Sequence, residues 1–373
     1  MPLPVALTPL LNASADQDQV FASAFSVLQE AIAERSFPAA SVAIAIHGGV
    51  IALKGFGRFT YESGSPPVNS ATLFDLASLT KVVATTPMAM LLYQRGLLDL
   101  DAPVAAVVPE FVADFKRDPR RREVTFRMLL AHSSGLPAYE KLFLKVRTRD
   151  ELLHGVFITP LAADPGTRAE YSDIGFILLG VALERLADES LDGFCRREIF
   201  APLGMTNTAF NPPSEMRGQI PPTQDDQEFR HRIIQGEVQD ENASILEGVA
   251  GHAGVFSTAA DIAQFAHAMM SPAALIHRET IALFTLRESA PAGTSRALGW
   301  DTPSAPSQSG KYFGPASFGH LGYTGTSLWI DPGRQLSITL LTNRTWPDCS
   351  NQAIKQVRPR FHDAVILALE KTV

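Results

Sequence analysis

The chain has 373 residues, 46% of them hydrophobic and 19% charged, with 32 basic and 39 acidic residues and a formal net charge of -7. Those proportions describe a globular protein with a large buried core. The basic residues form no long run, which excludes a nucleic-acid face, and the acidic balance gives no reason to expect an anionic membrane partner. Cys195 and Cys349, the two cysteines, fit no zinc or disulfide framework and read as free thiols.

Met1–Leu11 carry three prolines and no Lys or Arg. Ala13-Ser14-Ala15 resembles a cleavage site, but the basic start of an export signal is missing. No apolar run is long enough to span a bilayer, and a soluble, cytoplasmic protein is expected. A first helix is predicted over Gln19–Ala33, with Phe21, Phe25, Leu28, Ala31 and Ile32 on one side and Pro38 beyond its end. Strands Ser41–Ile46 and Val50–Leu53 around Gly48-Gly49 read as a hairpin. From Thr72 to Ser289 the pattern is mainly helical, and Val82–Leu98 and Ile174–Leu186 are apolar nearly all round, as buried helices are. Strands return at Gly319–Tyr323, Thr326–Ile330 and, past the turn Asp331-Pro332-Gly333, Leu336–Leu341; a helix His362–Leu369 closes the chain. The expectation is an α+β fold whose antiparallel sheet is built from both chain ends and flanked by helices. Residues 1–70 with 295–373 form the core and 71–294 an inserted, mainly helical subdomain, together one catalytic unit over about 20–365.

Common catalytic signatures are absent: no Gly-x-Ser-x-Gly elbow, Walker A loop, His-Glu-x-x-His or Cys-x-x-Cys. Ser78-Leu79-Thr80-Lys81 stands out instead. Serine and lysine three apart on a helix share one face. Serine needs a neighbouring base, and a lysine becomes one where burial favours its neutral form. A place in the first turn also aims the helix's positive end at developing negative charge. The tetrapeptide equally fits a capping serine before an ordinary helical lysine, yet Lys81 sits in a run with almost no other charge before Arg95. Tyr171-Ser172-Asp173 follows the turn Asp164-Pro165-Gly166. Ser172 or Asp173 can cap the helix from Ile174, or Tyr171 can shuttle a proton. Gly319, Gly322 and Gly325 read either as a hairpin turn or as an edge open to a substrate backbone.

Taken together, Ser-x-x-Lys, Tyr-x-Asp and His-x-Gly occur in an order that resembles the serine β-lactamase and penicillin-binding protein superfamily, on the side of the class C β-lactamases and their esterase and D-peptidase relatives. The resemblance runs from about Val42 to Asn343 and includes Leu129–Pro137, Pro202–Met205, Gly248–Gly254 and Leu298-Gly299-Trp300. It implies Ser78 as acylated nucleophile, Lys81 as partner base, Tyr171 as second acid/base, and the backbone N–H groups of Ser78 and Tyr323 as oxyanion hole. Asp173, His320 and Gly322 fall at substrate-binding positions, with no cofactor and no metal.

Two positions depart from the family pattern. The second motif usually ends in Asn, where this chain has Asp173, and an ionised carboxylate only accepts hydrogen bonds. The third usually begins with Lys, where this chain has His320, largely neutral at pH 7 and expected to charge towards pH 6. Both changes weaken the site for anionic amides. An esterase or small-acyl amide hydrolase therefore ranks above a D-amino-acid peptidase of the DD-carboxypeptidase kind or a weak β-lactamase. A penicillin-binding sensor that does not turn over is the reading of another class. The partner expected is a small ester, amide or peptide, and oligomeric state stays open. His132 and His252 are expected as structural histidines, and Asp240-Glu241-Asn242 as a loop polar network rather than a cation site.

Overall fold

The computed structural model describes residues 16–113, 118–271 and 275–371; the leader reading at Met1–Ala15 lies outside them. Five antiparallel strands form the main sheet, in the order Gly49–Gly57, Ala39–Ile46, Leu336–Thr342, Ser327–Asp331, Phe318–Leu321. The first and last thirds of the chain thus meet at the sheet's centre, where Val42 pairs with Leu340 and Ile44 with Ile338.

Both central strands are buried on their two faces; Ala39–Ile46 is accordingly apolar at every position but Ser41, whereas Leu336–Thr342 carries the buried polar residues Ser337, Thr339 and Thr342 among its apolar ones. One face packs Val42, Ile44, Ile338 and Leu340 against the helices Ala22–Ala33 and Ile354–Glu370. The other carries small side chains, Ala43 and Ala45, beneath the helix Ala259–Met270. That side joins the large apolar cluster of the helical region, including Leu178, Leu179 and Val83.

The closing helix starts at Ile354, eight residues before the expected His362, and contains Pro359. A proline inside a helix removes one N–H and leaves a carbonyl four residues back without its donor. That carbonyl, on Lys355, accepts instead from the Gln308 side chain at 3.0 Å. The expected Val82–Leu98 helix is really a 3₁₀ turn Ala77–Leu79, a wider π turn Lys81–Thr85 and an α-helix Thr86–Gln94. No helix among the described residues is long and apolar enough to cross a membrane. Both cysteines are free thiols.

A small sheet fixes the start of this segment. Phe74–Asp75 pairs with Val255–Ser257, which also pairs with Ala209–Phe210. Past it, Leu76 N–H bonds Val255 O at 3.0 Å, and Val255 N–H returns to Thr80 Oγ1 at 3.1 Å.

Candidate active site

Asp75 shapes the turn that presents Ser78. Its carboxylate accepts from the N–H of Ala77 at 2.8 Å and of Gln239 at 2.7 Å. Burial pushes its pKa up to about 6 against the pull of those two donors. Ala77 has φ of 46°, the left-handed region a residue with a Cβ disfavours by about 1–2 kcal/mol. The strain sits directly before Ser78, which stays partly exposed, and the bond from Asp75 holds it.

One turn on, the Lys81 side chain is 0% exposed. Four oxygens surround its Nζ: Ser78 Oγ at 2.9 Å, Tyr171 OH at 2.5 Å, Asp173 Oδ1 at 2.6 Å and the His252 carbonyl at 3.2 Å. Tyr171 OH also donates to Ser78 Oγ at 2.7 Å. Burial lowers the Lys81 pKa, and the Asp173 carboxylate opposes it. Burial, then the same carboxylate, holds the Tyr171 phenol well above its ordinary range.

Tyr171 owes its place to the loop before it. Ser172 caps the helix Asp173–Ala187 through Gly175 N–H at 3.0 Å and donates its hydroxyl to Pro137 O at 2.6 Å. His132 accepts from Ser172 N–H on Nδ1 at 3.0 Å, so its proton is on Nε2, and its ring lies 4.6 Å from that of Tyr171. His132 therefore positions Tyr171. His252 acts through its backbone carbonyl on Lys81, while its ring bonds Asp240 at 2.9 Å. Asp240 in turn caps the short helix Glu241–Ile245, and Asn242 ties Phe143 N–H to Glu140 O. Among the described residues no group of three His, Cys, Asp or Glu side chains is placed to hold a metal ion.

The third motif meets the nucleophile edge-on. Thr324 Oγ1 donates to Asp75 O and Thr326 Oγ1 to Leu76 O, each at 2.8 Å. A Cβ on Gly322 would come 1.9 Å from Thr326 Oγ1 and 2.4 Å from Leu76 O, so glycine is needed for this approach of two backbones. Tyr323, 49% exposed, stands at the mouth. Its carbonyl accepts from Arg344 Nε at 2.6 Å, and Arg358 Nη2 grips the Gly322 and Thr326 carbonyls at 2.9 and 3.1 Å.

His320 is 3% exposed, and its Nδ1 donates to Leu321 O at 2.8 Å. Its Nε2 is buried without a partner among the described residues. Burial, and then the charge of Lys81, keep its pKa well below 6.5. The expectation that His320 charges towards pH 6 is corrected by this burial. Asp173 lies at the cavity wall, and its carboxylate is committed to Lys81. The sequence reading missed Arg296, whose guanidinium lies 5.4 Å from the Tyr171 ring. Ser78, Tyr171, Asp173, His320, Gly322 and Arg296 all line one cavity of about 670 Å³.

A serine, a buried lysine and a tyrosine in mutual contact beside the edge of an antiparallel sheet define a serine hydrolase of the β-lactamase fold. The chain belongs to the beta-lactamase family, whose sequence signature matches residues 24–357. It is 32% identical over 346 residues to the N-acetylmuramyl-L-alanine amidase of Bacillus subtilis (strain 168), covering 83% of this chain and 77% of that protein. It is 31% identical over 346 residues to a putative D-alanyl-D-alanine carboxypeptidase of Escherichia coli (strain K12), covering 83% and 79%. In fold it matches the solved structure of EstCE1, a hydrolase with promiscuous acyltransferase activity, at TM-score 0.74 and 22% identity, covering 94% of this chain and 100% of that one.

Proposed function

We propose that Ser78 attacks an ester or amide carbonyl and becomes acylated, with Lys81 taking its proton and Tyr171 protonating the leaving atom. The triangle of Ser78 Oγ, Lys81 Nζ and Tyr171 OH, closed at 2.9, 2.5 and 2.7 Å, carries this reading. Two of the four oxygens around Lys81 can only accept, namely the Asp173 carboxylate and the His252 carbonyl. They occupy both N–H bonds of the neutral amine and turn its lone pair to Ser78.

As Ser78 Oγ bonds the carbonyl carbon, its proton passes to Lys81 and the Asp173 charge stabilises the ammonium formed. The backbone N–H groups of Ser78 and Tyr323 receive the oxyanion. Lys81 then gives a proton to Tyr171 O, Tyr171 gives its own to the leaving oxygen or nitrogen, and that bond breaks. In deacylation water attacks the acyl carbon, its proton enters the same relay, and the relay returns one to Ser78 Oγ. Residues 1–70 with 295–373 and residues 71–294 work as one unit in this scheme, which the apolar cluster shared by the sheet and the helical region supports.

The substrate is a small acyl ester or amide. The relatives named as amidase and D-alanyl-D-alanine carboxypeptidase support the amide. The lower rank of anionic amides rested on Asp173 and on a third motif without a cation; Arg296 beside Tyr171 supplies a cation, so only the change at Asp173 still weighs against them. A fluorophosphonate, which mimics the tetrahedral intermediate, should label Ser78 alone. Mass spectrometry placing the label on another serine, or finding none, overturns the assignment.

A further inference from the structure

Arg358 is a buried cation that faces no carboxylate among the described residues. It stands on the closing helix Ile354–Glu370 and is 4% exposed. Burial, and then the charge of Arg344, pull its pKa down to about 9, which leaves it charged at pH 7. A guanidinium taken out of water without an anion is costly unless its donors are satisfied. Here they meet three carbonyls of a single turn. Nη2 donates to Gly322 O at 2.9 Å and to Thr326 O at 3.1 Å, and Nε donates to Gly325 O at 3.3 Å.

The turn has other bonds to hold its shape. Gly322 N–H bonds Thr326 O at 2.8 Å, Gly325 N–H bonds Gly322 O at 3.0 Å, and the Thr324 and Thr326 hydroxyls tie it to Asp75 and Leu76. What Arg358 adds is positive charge at one particular atom. Gly322 O and the N–H of Tyr323 belong to the same peptide group, which is trans and planar, so its two polar ends point in opposite directions. Holding the carbonyl towards the closing helix turns the N–H away from that helix. A cation on the oxygen also polarises the group and makes its N–H a stronger donor. Among the described residues that N–H meets no acceptor. Arg344 grips the next carbonyl, Tyr323 O at 2.6 Å, which shares its peptide group with the N–H of Thr324 instead. We infer that Arg358 is a positioning residue of the oxyanion hole, aiming and polarising the Tyr323 N–H through the Gly322 carbonyl. The inference rests on the Ser78 acyl-enzyme reading, in which that N–H receives the oxyanion. A donor backed by a buried charge gains most where negative charge is greatest, so Arg358 acts on kcat more than on KM.

The test compares phenyl acetate with its thiono analogue, in which C=S replaces C=O. Sulfur accepts hydrogen bonds weakly, so the ratio of kcat/KM for the two, divided by the same ratio for hydroxide, reads the donors of the hole. Being a ratio, it does not change with the fraction of protein that is folded. It should reach at least about a hundredfold in the unaltered protein, the lower value for one oxyanion donor. Arg358→Met should lower it at least about fivefold, with KM for the ester within about threefold of the original. Arg344→Met removes a bond of the same kind from the neighbouring peptide and should leave the ratio within about twofold. A smaller fall in Arg358→Met, or an equal fall in Arg344→Met, overturns the assignment. Should Arg358→Met yield no folded protein, Arg358→Gln decides, since it keeps a donor for the carbonyls and loses the charge; its ratio should fall at least about twofold, and an unmoved ratio overturns the assignment. Fluorophosphonate labelling keeps the two readings apart. Label on Ser78 with an unmoved ratio fails Arg358 alone, and absence of label fails the hydrolase reading beneath it.

Discussion

The two cations beside the Tyr171 ring live in opposite surroundings. Lys81 is sealed from solvent with four oxygen neighbours, while the Arg296 guanidinium makes no hydrogen bond among the described residues, stands 3.9 Å from Asp301 and lines the cavity. A cation that must cycle between charged and neutral needs burial and fixed partners to set when it loses its proton. A cation that must greet a ligand needs a permanent charge and idle donors.

The largest effects should come from breaking the sealed side. Ser78→Ala should abolish turnover, and Lys81→Ala and Tyr171→Phe should each lower kcat by at least ~10²-fold in steady-state assays. Gly322→Ala comes next. Its new Cβ must displace Leu76 O or Thr326 Oγ1, moving the sheet edge away from Ser78. A shift near 1 Å is expected to cost about 10²-fold in kcat with a cooperative melt retained by circular dichroism.

Asp173→Asn sharpens the contrast more finely, because the amide keeps an acceptor oxygen and loses the charge. Asp173 raises the Lys81 pKa, so without its charge that pKa falls. The neutral base then persists to lower pH, and the acid limb of kcat/KM should move to lower pH. The plateau should drop about tenfold, since the ammonium formed in the transition state loses some 1.4 kcal/mol of support. An unmoved acid limb would show that Asp173 only orients Lys81. The smallest expected change concerns His320. Burial lowers its pKa and favours the neutral ring, so His320 should add no step to the pH profile of kcat/KM between pH 6 and 8. A step near pH 6 that disappears in His320→Gln would show that His320 charges there.

Val42 to Ile46 was legible because a doubly covered strand can be apolar at every position, and Leu336 to Leu341 because Leu336, Ile338 and Leu340 alternate with Ser337 and Thr339 beyond the turn at Asp331. Lys81 was legible because a lone charge in an apolar run demands a reason. Arg296 offered no such signal. It sits in an irregular segment whose course depends on Gly299, at φ of 86°, packing where a Cβ would lie 2.0 Å from Thr86 Oγ1. Gly299 N–H binds Leu130 O at 2.9 Å. Those contacts are long-range, and no local period encodes them. The start of the closing helix was missed for a related reason, since the partner that compensates Pro359 is Gln308, distant in sequence. Removing it with Gln308→Ala should cost about 0.5–1.5 kcal/mol in urea denaturation, the net worth of one hydrogen bond.

The two threonine hydroxyls that reach from Thr324 and Thr326 to the carbonyls of Asp75 and Leu76 tie the turn before Ser78 to residues 249 and 250 positions further along the chain. A growing polypeptide carries Ser78 and Lys81 long before it carries these threonines. Until the final strands have threaded into the sheet, the serine lacks the wall opposite it and the Tyr323 N–H that the proposed chemistry uses. A copy cut before Thr324 should therefore fail to turn over an ester that the whole chain hydrolyses.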